Sequence, residues 1–255
     1  MTTTDYENHI SLWKKQSVLK LADHFHEYCK EDSFQHRRVH HFEMDYKFLD
    51  LFTKLKEIEK MKICLALKSL EATDDFTFYP ILEIACKGNT KIMYFPLEPV
   101  AFSELRIQSE FVPGIFKEMI QDNWNKLDIM NIDDLFIAQA RTDDGVSLNQ
   151  MVRVHEFIIN EDMIEFINAI NREIETGSSP LISEPNIQKI RMYPGVDMNK
   201  FGNKELISFT PVLGFGHLRD PNGVLNKHGV LEVTQKETFI EYSRPCPPTC
   251  KPPDL

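Results

Sequence analysis

Five histidines crowd between positions 24 and 41 of this 255-residue chain: His24, His26, His36, His40 and His41, with Glu27, Cys29, Glu31 and Asp32 among them. Imidazole, thiolate and carboxylate are the ligands zinc and iron take, so the density alone raises a metal site. The spacing argues against one. On a helix His24 and His26 point about 200° apart, whereas a helical ligand pair needs the i, i+3 or i+4 relation. The cluster therefore reads as a solvated surface.

His40 and His155 make a sharper pair. RVHHFEMDYKFLDLFTKL, from Arg38 to Leu55, lies beside RVHEFIINEDMIEFINAI, from Arg153 to Ile170, at a shift of 115 residues. Arg38, Val39, His40 and Phe42 fall on Arg153, Val154, His155 and Phe157, while Phe48, Leu49, Leu51, Phe52 and Leu55 fall on Met163, Ile164, Phe166, Ile167 and Ile170. Both blocks read as a strand feeding a capped helix. Further on, FYPIL from Phe78 matches FTPVL from Phe209, with a proline at the same place in each. Chance similarity of amphipathic segments is the competing explanation for the apolar matches. It explains the prolines less well, because proline removes a ladder donor and is confined to strand edges or bulges.

Element order of this kind is similar to that of the duplicated β-α-β-β-β folds of the vicinal-oxygen-chelate type. The analogy implies a divalent metal held by a first-strand histidine and a last-strand acid, here His40, His155 and Glu241, in a cleft between the copies. A histidine on an apolar strand face is more often an ordinary core residue hydrogen-bonded to backbone. No cofactor is the first expectation, and one divalent metal the alternative.

Two other stretches invite a partner. The end of the chain, EYSRPCPPTCKPPDL, holds five of the 14 prolines behind Arg244 and reads as an extended, polyproline-like tail carrying Cys246 and Cys250. The loop GFGHLRDPNGVLNKHG brings His217, Arg219, Asp220 and His228 together, and Gly214 and Gly216 give G-x-G without phosphate-loop spacing. Arg244, Cys246, Cys250, His217 and Arg219 are accordingly the candidates for partner contact. No G-x-S-x-G elbow, H-E-x-x-H or P-loop occurs, which lowers the prior for nucleophilic hydrolases, zinc peptidases and P-loop enzymes.

The elements that must position these residues follow from periodicity. Ile10, Trp13, Leu21, Phe25 and Cys29 recur at helical spacing, predicting one amphipathic helix from His9 to about Lys30. Val39 to Met44 reads as a strand with His40, Phe42 and Met44 on one face. Asp45 caps a helix whose stripe is Phe48, Leu51, Phe52, Leu55 and Ile58. Strands follow at Ile63 to Leu67, Phe76 to Cys86 and Ile92 to Leu97, the last two joined by the turn Lys87-Gly88-Asn89-Thr90. Ile115 to Leu127 is a helix, Met151 to Ile159 a strand, and Asn160 caps the next helix. Strands at Ile187 to Tyr193, Leu206 to Phe215, Val230 to Thr234 and Phe239 to Tyr242 complete the chain, with residues 216 to 229 as a long hairpin loop. The expected fold is α+β: two β-α-β-β-β repeats, each preceded by a helix, in mostly antiparallel sheets. Its divisions are a first half at 1–100, a helical connector at 101–151, a second half at 152–244 and a tail at 245–255.

Composition limits the function classes. An excess of 39 Asp and Glu over 29 Lys and Arg gives a net charge of -10, which repels phosphate backbones and anionic lipid, so neither nucleic acid nor membrane is expected as a partner. The first residues lack a signal pattern, and no apolar run is long enough to span a bilayer. Five scattered cysteines read as reduced thiols. The expectation is a cytoplasmic protein acting by binding, as an assembly component or through a protein partner or self-association. A metal-dependent enzyme of small molecules is the alternative.

Overall fold

Thr2 and Asp5 close a reciprocal capping box, and helix α1 (Thr3–Lys15) starts behind it. In this computed structural model the described residues are 2–28, 36–73, 75–100, 108–109, 114–141, 147–176, 187–204, 206–218, 224–225, 231–232, 235–240 and 243–246. The helix stops at Lys15, well short of Lys30. Gln16 and Ser17 are extended, and two 3-10 turns (Val18–Lys20 and Ala22–Phe25) lead into strand β1 (His26–Tyr28). A four-residue apolar recurrence survives such a break, so periodicity alone does not reveal it. The break also buries His24 and His26, at 1% and 0% exposure, which corrects their reading as solvated surface.

Strand β2 (His36–Arg38) pairs with β1, and β3 (His41–Met44) follows. Asp45 caps α2 (Tyr46–Phe52) by accepting from the Lys47 N–H at 2.8 Å. Here too the helix is shorter than its stripe: Leu51 is exposed and Ile58 opens the next strand. Strands β4 (Ile58–Leu67), β5 (Phe78–Cys86) and β6 (Met93–Val100) form a meander, the β5–β6 turn using Gly88 at φ 74°. After β7 (Gln108–Ser109) come α3 (Gly114–Lys126) and 3-10 turns at Ile129–Asn131 and Asp133–Phe136. The hairpin β8 (Ile137–Arg141) and β9 (Ser147–Arg153) then leads to β10 (Glu156–Ile159) and α4 (Glu161–Thr176), which Asn160 caps. The remaining strands are β11 (Ile187–Tyr193), β12 (Val212–Leu218), β13 (Val224–Leu225), β14 (Leu231–Glu232), β15 (Gln235–Ile240) and β16 (Ser243–Cys246). The fold is α+β and mostly antiparallel.

Ten strands share one sheet in the order β16-β10-β4-β5-β6-β3-β11-β12-β15-β7. Only two residues separate β15 from β16, yet β16 begins that order and β15 is next to its other end, so the sheet is curled. Strand β6 does the same job without interruption: Met93 to Pro96 pairs with β5, and Leu97 to Val100 pairs with β3. Each half hands strands to the other. Strand β3 lies between its own β6 and the second half's β11, while β10 lies between β16 and the first half's β4. Phe42 faces Pro99 and Met192; Phe157 faces Pro245 and Ile63. Pro80 sits one residue before the β5–β6 ladder begins at Ile81, at the corner where β6 leaves β5 for β3, and Pro211 just precedes β12 at the matching corner.

The centre repeats across the halves in the same reciprocal way. The Trp13 indole donates to the Val154 carbonyl at 2.9 Å, and the Trp124 indole to the Val39 carbonyl at 3.0 Å. Arg153 donates to the Trp13 carbonyl, and Arg38 to that of Trp124, each guanidinium standing over the same tryptophan's ring. Phe25 and Phe136 stack on one another 5.4 Å apart and 9° from parallel. Around them Trp13 meets Phe136 at 5.2 Å and Trp124 meets Phe25 at 5.3 Å, while Phe78 and Phe209 close the cluster. All six rings are essentially inaccessible to water.

Candidate functional site

Two clefts among the described residues lie along α1 and α3. Trp13 and Trp124 anchor these two helices at corresponding points, and each helix shelters one of the paired histidines.

Along α3, Gln121 faces a cleft of about 560 Å³ whose rim includes Glu118, Met119, Asp122 and Asn125. The Gln121 amide donates to the His40 carbonyl at 3.0 Å and approaches His40 Nε2 at 3.2 Å. With Nε2 accepting, Nδ1 carries the proton and donates to His41 Nδ1, 2.9 Å away. His41 Nε2 then points toward Glu43, at 3.8 Å, and Glu43 accepts from Arg191 Nε at 2.7 Å. His41 and Arg191 hold the Glu43 carboxyl down to about 2, against the opposing effect of burial. Burial, reinforced by the charges of His41, Lys117 and Arg191, takes His40 down to about 4, so both rings are neutral at pH 7.

Along α1, a second cleft of about 370 Å³ is walled by Val18, Ile137, Met151 and Val152, with Lys14, Arg153 and His155 at its polar side. Burial lowers the His155 pKa, and the charges of Lys14 and Arg153 lower it further. Arg153 is held by the Trp13 carbonyl at 2.7 Å and by the Trp13 ring. Among the described residues its buried Nε–H has no hydrogen-bond partner. The corresponding arginine differs: Arg38 Nε donates to His26 Nε2 at 3.1 Å. Register explains the contrast, since His26 lies across from Arg38 and Ile137 across from Arg153. A hydrocarbon side chain stands where an imidazole would accept.

The two histidines singled out by sequence therefore sit against different helices, His40 with α3 and His155 with the residues around α1. Both immediately precede their strands, whose inward positions are Phe42 and Phe157. Glu241 lies outside the described residues. Among the described residues no group of three or more His, Cys, Asp or Glu side chains is placed to hold a metal ion. Of the expected partner contacts, Arg244 and Cys246 belong to β16, paired with Ile158 and Glu156, so the ladder runs past the start of the expected tail. His217 lies in β12 opposite Ile187, and Arg219 and Cys250 lie outside the described residues.

Sequence reading missed the α1 cleft and the ends of the 3-10 turns. Leu19 and Met130 occupy matching positions in those turns at 85% and 80% exposure. The signal was available in WKKQSVLKLADHF beside WNKLDIMNIDDLF, at Trp13 and Trp124, which extends the internal match upstream at a shift of 111. No described helix is long and apolar enough to cross a membrane. Comparison with known proteins returns no match, whether to a family model, a curated protein or a solved structure.

Proposed function

We propose that this protein acts by binding another polypeptide, and that its two halves are copies of one interlocking unit. The observation that carries the binding reading is the pair Leu19 and Met130, large apolar side chains held in water at matching positions. Scattered surface apolar residues are ordinary, but two at matching positions of two 3-10 turns are a patterned exposure. Both turns belong to the region where the halves meet, since the Ala22 N–H donates to Asp133 at 2.9 Å across that junction.

In this reading the protein is an assembly component whose contact surface is the junction end, with Arg244, Cys246, Cys250, His217 and Arg219 as a second contact region. Recovery of partners from a lysate, together with light scattering for self-association, tests it with Leu19→Glu/Met130→Glu. The double variant is expected to keep its unfolding midpoint, because both side chains are solvated, and to lose the association. Undiminished association in the double variant would overturn the junction as the contact surface.

A further inference from the structure

The α1 cleft differs from its counterpart in a way that defines a ligand. Three features converge there: an apolar wall from Val18, Ile137 and Met151, two cations from Lys14 and Arg153, and a buried N–H without a partner among the described residues. An unsatisfied buried donor is costly, and native structures normally supply an acceptor. In the first half that acceptor is His26, while in the second the residue across from Arg153 is Ile137, which offers none. The neighbouring acids are otherwise engaged: Asp133 accepts from the Ala22 N–H, and Glu156 pairs with Lys62 at 3.0 Å. In a chain of net charge -10, this leaves a local cationic cleft with a hydrocarbon floor.

We infer that the α1 cleft binds an aliphatic carboxylate, its oxygen accepting from Arg153 Nε and its alkyl group lying on Val18, Ile137 and Met151. The volume of about 370 Å³ accommodates a branched side chain and one carboxyl group. A carboxylate suits the fixed guanidinium better than a neutral carbonyl, since charge-assisted hydrogen bonds are roughly twice as strong. Two sources share this chemistry, the carboxyl-terminal residue of a polypeptide and a free branched-chain acid. The inference deepens the binding reading by naming what one cleft recognises, and rests on that reading only for the polypeptide source.

The test follows the Arg153 Nε–Hε resonance of the full chain by NMR during titration with N-acetyl-leucine, isocaproate and, as neutral control, N-acetyl-leucinamide. Saturable shifts with the carboxylates and not the amide are expected, the stronger of the two acids identifying the source. Ile137→His should supply Arg153 with the acceptor that Arg38 already has, fill the cleft and weaken binding at least tenfold. Arg153→Lys, which keeps the charge but removes Nε, should weaken it similarly, with folding of both variants checked from their amide spectra. No shift with either acid, or an equal shift with the amide, would overturn the inference. Because the titration needs no partner, its outcome is independent of the lysate experiment, so failure of the cleft and failure of the junction surface are separately visible.

Discussion

The first and second halves agree at their centre and disagree at their flanks. At the centre, tryptophan, arginine and phenylalanine make the same contacts twice, each tryptophan reaching into the opposite half. At the flanks, the first half sets His26 beside Arg38 and joins Glu43 to Arg191. The second sets Ile137 beside Arg153 and turns Lys62 toward Glu156. The repeated contacts lock the halves together and tolerate little change, because truncating a buried aromatic costs about 3–5 kcal/mol. The divergent positions are held by contacts particular to each half, and both clefts lie there.

The most severe way to break the comparison is to separate the halves. Residues 1–100 alone lack β11 beside β3 and β10 beside β4, leaving two strand edges without those partners. A second copy could fill both vacancies, for Ile63 and Lys62 stand where Met192 and Arg191 do, which would set Lys62 opposite Glu43. The fragment is expected to fold only as a two-fold dimer and to lose structure on dilution. Circular dichroism and light scattering across a concentration series would show this, and a folded monomer would refute the interlock.

Much of this architecture was legible from sequence. Alternation and turn chemistry place β4, β5 and β6, and the Asp45 and Asn160 caps stand where their side chains predict. The lengths of α1 and α2 were not legible, because the apolar spacing of Trp13, Leu21 and Phe25 is equally compatible with a helix broken at Gln16. The exchange of β4 and β11 between halves was not legible either. Register between distant strands depends on tertiary pairing, which leaves no local mark. At the clefts, His40 and His155 stand beside different helices, and Arg153 acquires meaning only once Ile137 is known to lie across from it. A repeat search begun at Trp13 would have come closer than one begun at Arg38.

A smaller effect sharpens the contrast between flanks. Arg191 is 6% exposed in its side chain and bonded to Glu43, whereas Lys62 is 31% exposed beside Glu156. Glu43 accepts from the nearly buried Arg191 guanidinium, and hydrogen bonds to charged groups are worth about 1.5–3 kcal/mol, so Glu43→Gln is expected to cost about 2 kcal/mol. Glu156→Gln should cost about 1 kcal/mol or less, because water solvates Lys62 and Glu83 stands 3.7 Å from it. Urea midpoints of the two variants measure the difference, and equal losses would mean that the flanks are energetically alike.

The last prediction concerns acid. His24 is buried between Gln16 and Thr77, whereas its counterpart in the second half is the hydrocarbon Leu135, so this sensitivity belongs to the first half alone. Burial lowers the His24 pKa to about 4, partly offset by Asp23, below the value near 6.5 of an unfolded chain. Between these values the unfolded state binds more protons than the folded one, so stability rises with pH across the window and is lost as pH falls from about 6.5 toward 4. The His24 share is about 2 kcal/mol over that interval. His24→Leu copies the second half's solution and removes this share of the slope, leaving the part due to His40 and the other lowered histidines. The slope is the proper readout rather than the stability at neutral pH, because the variant also leaves Gln16 and Thr77 without their ring partner, at about 1–3 kcal/mol. Urea unfolding of both proteins at several pH values between 4 and 7 separates the two effects. An unchanged slope would mean that the acid response comes from the other lowered histidines, His40, His41 and His155 among them, and not from His24.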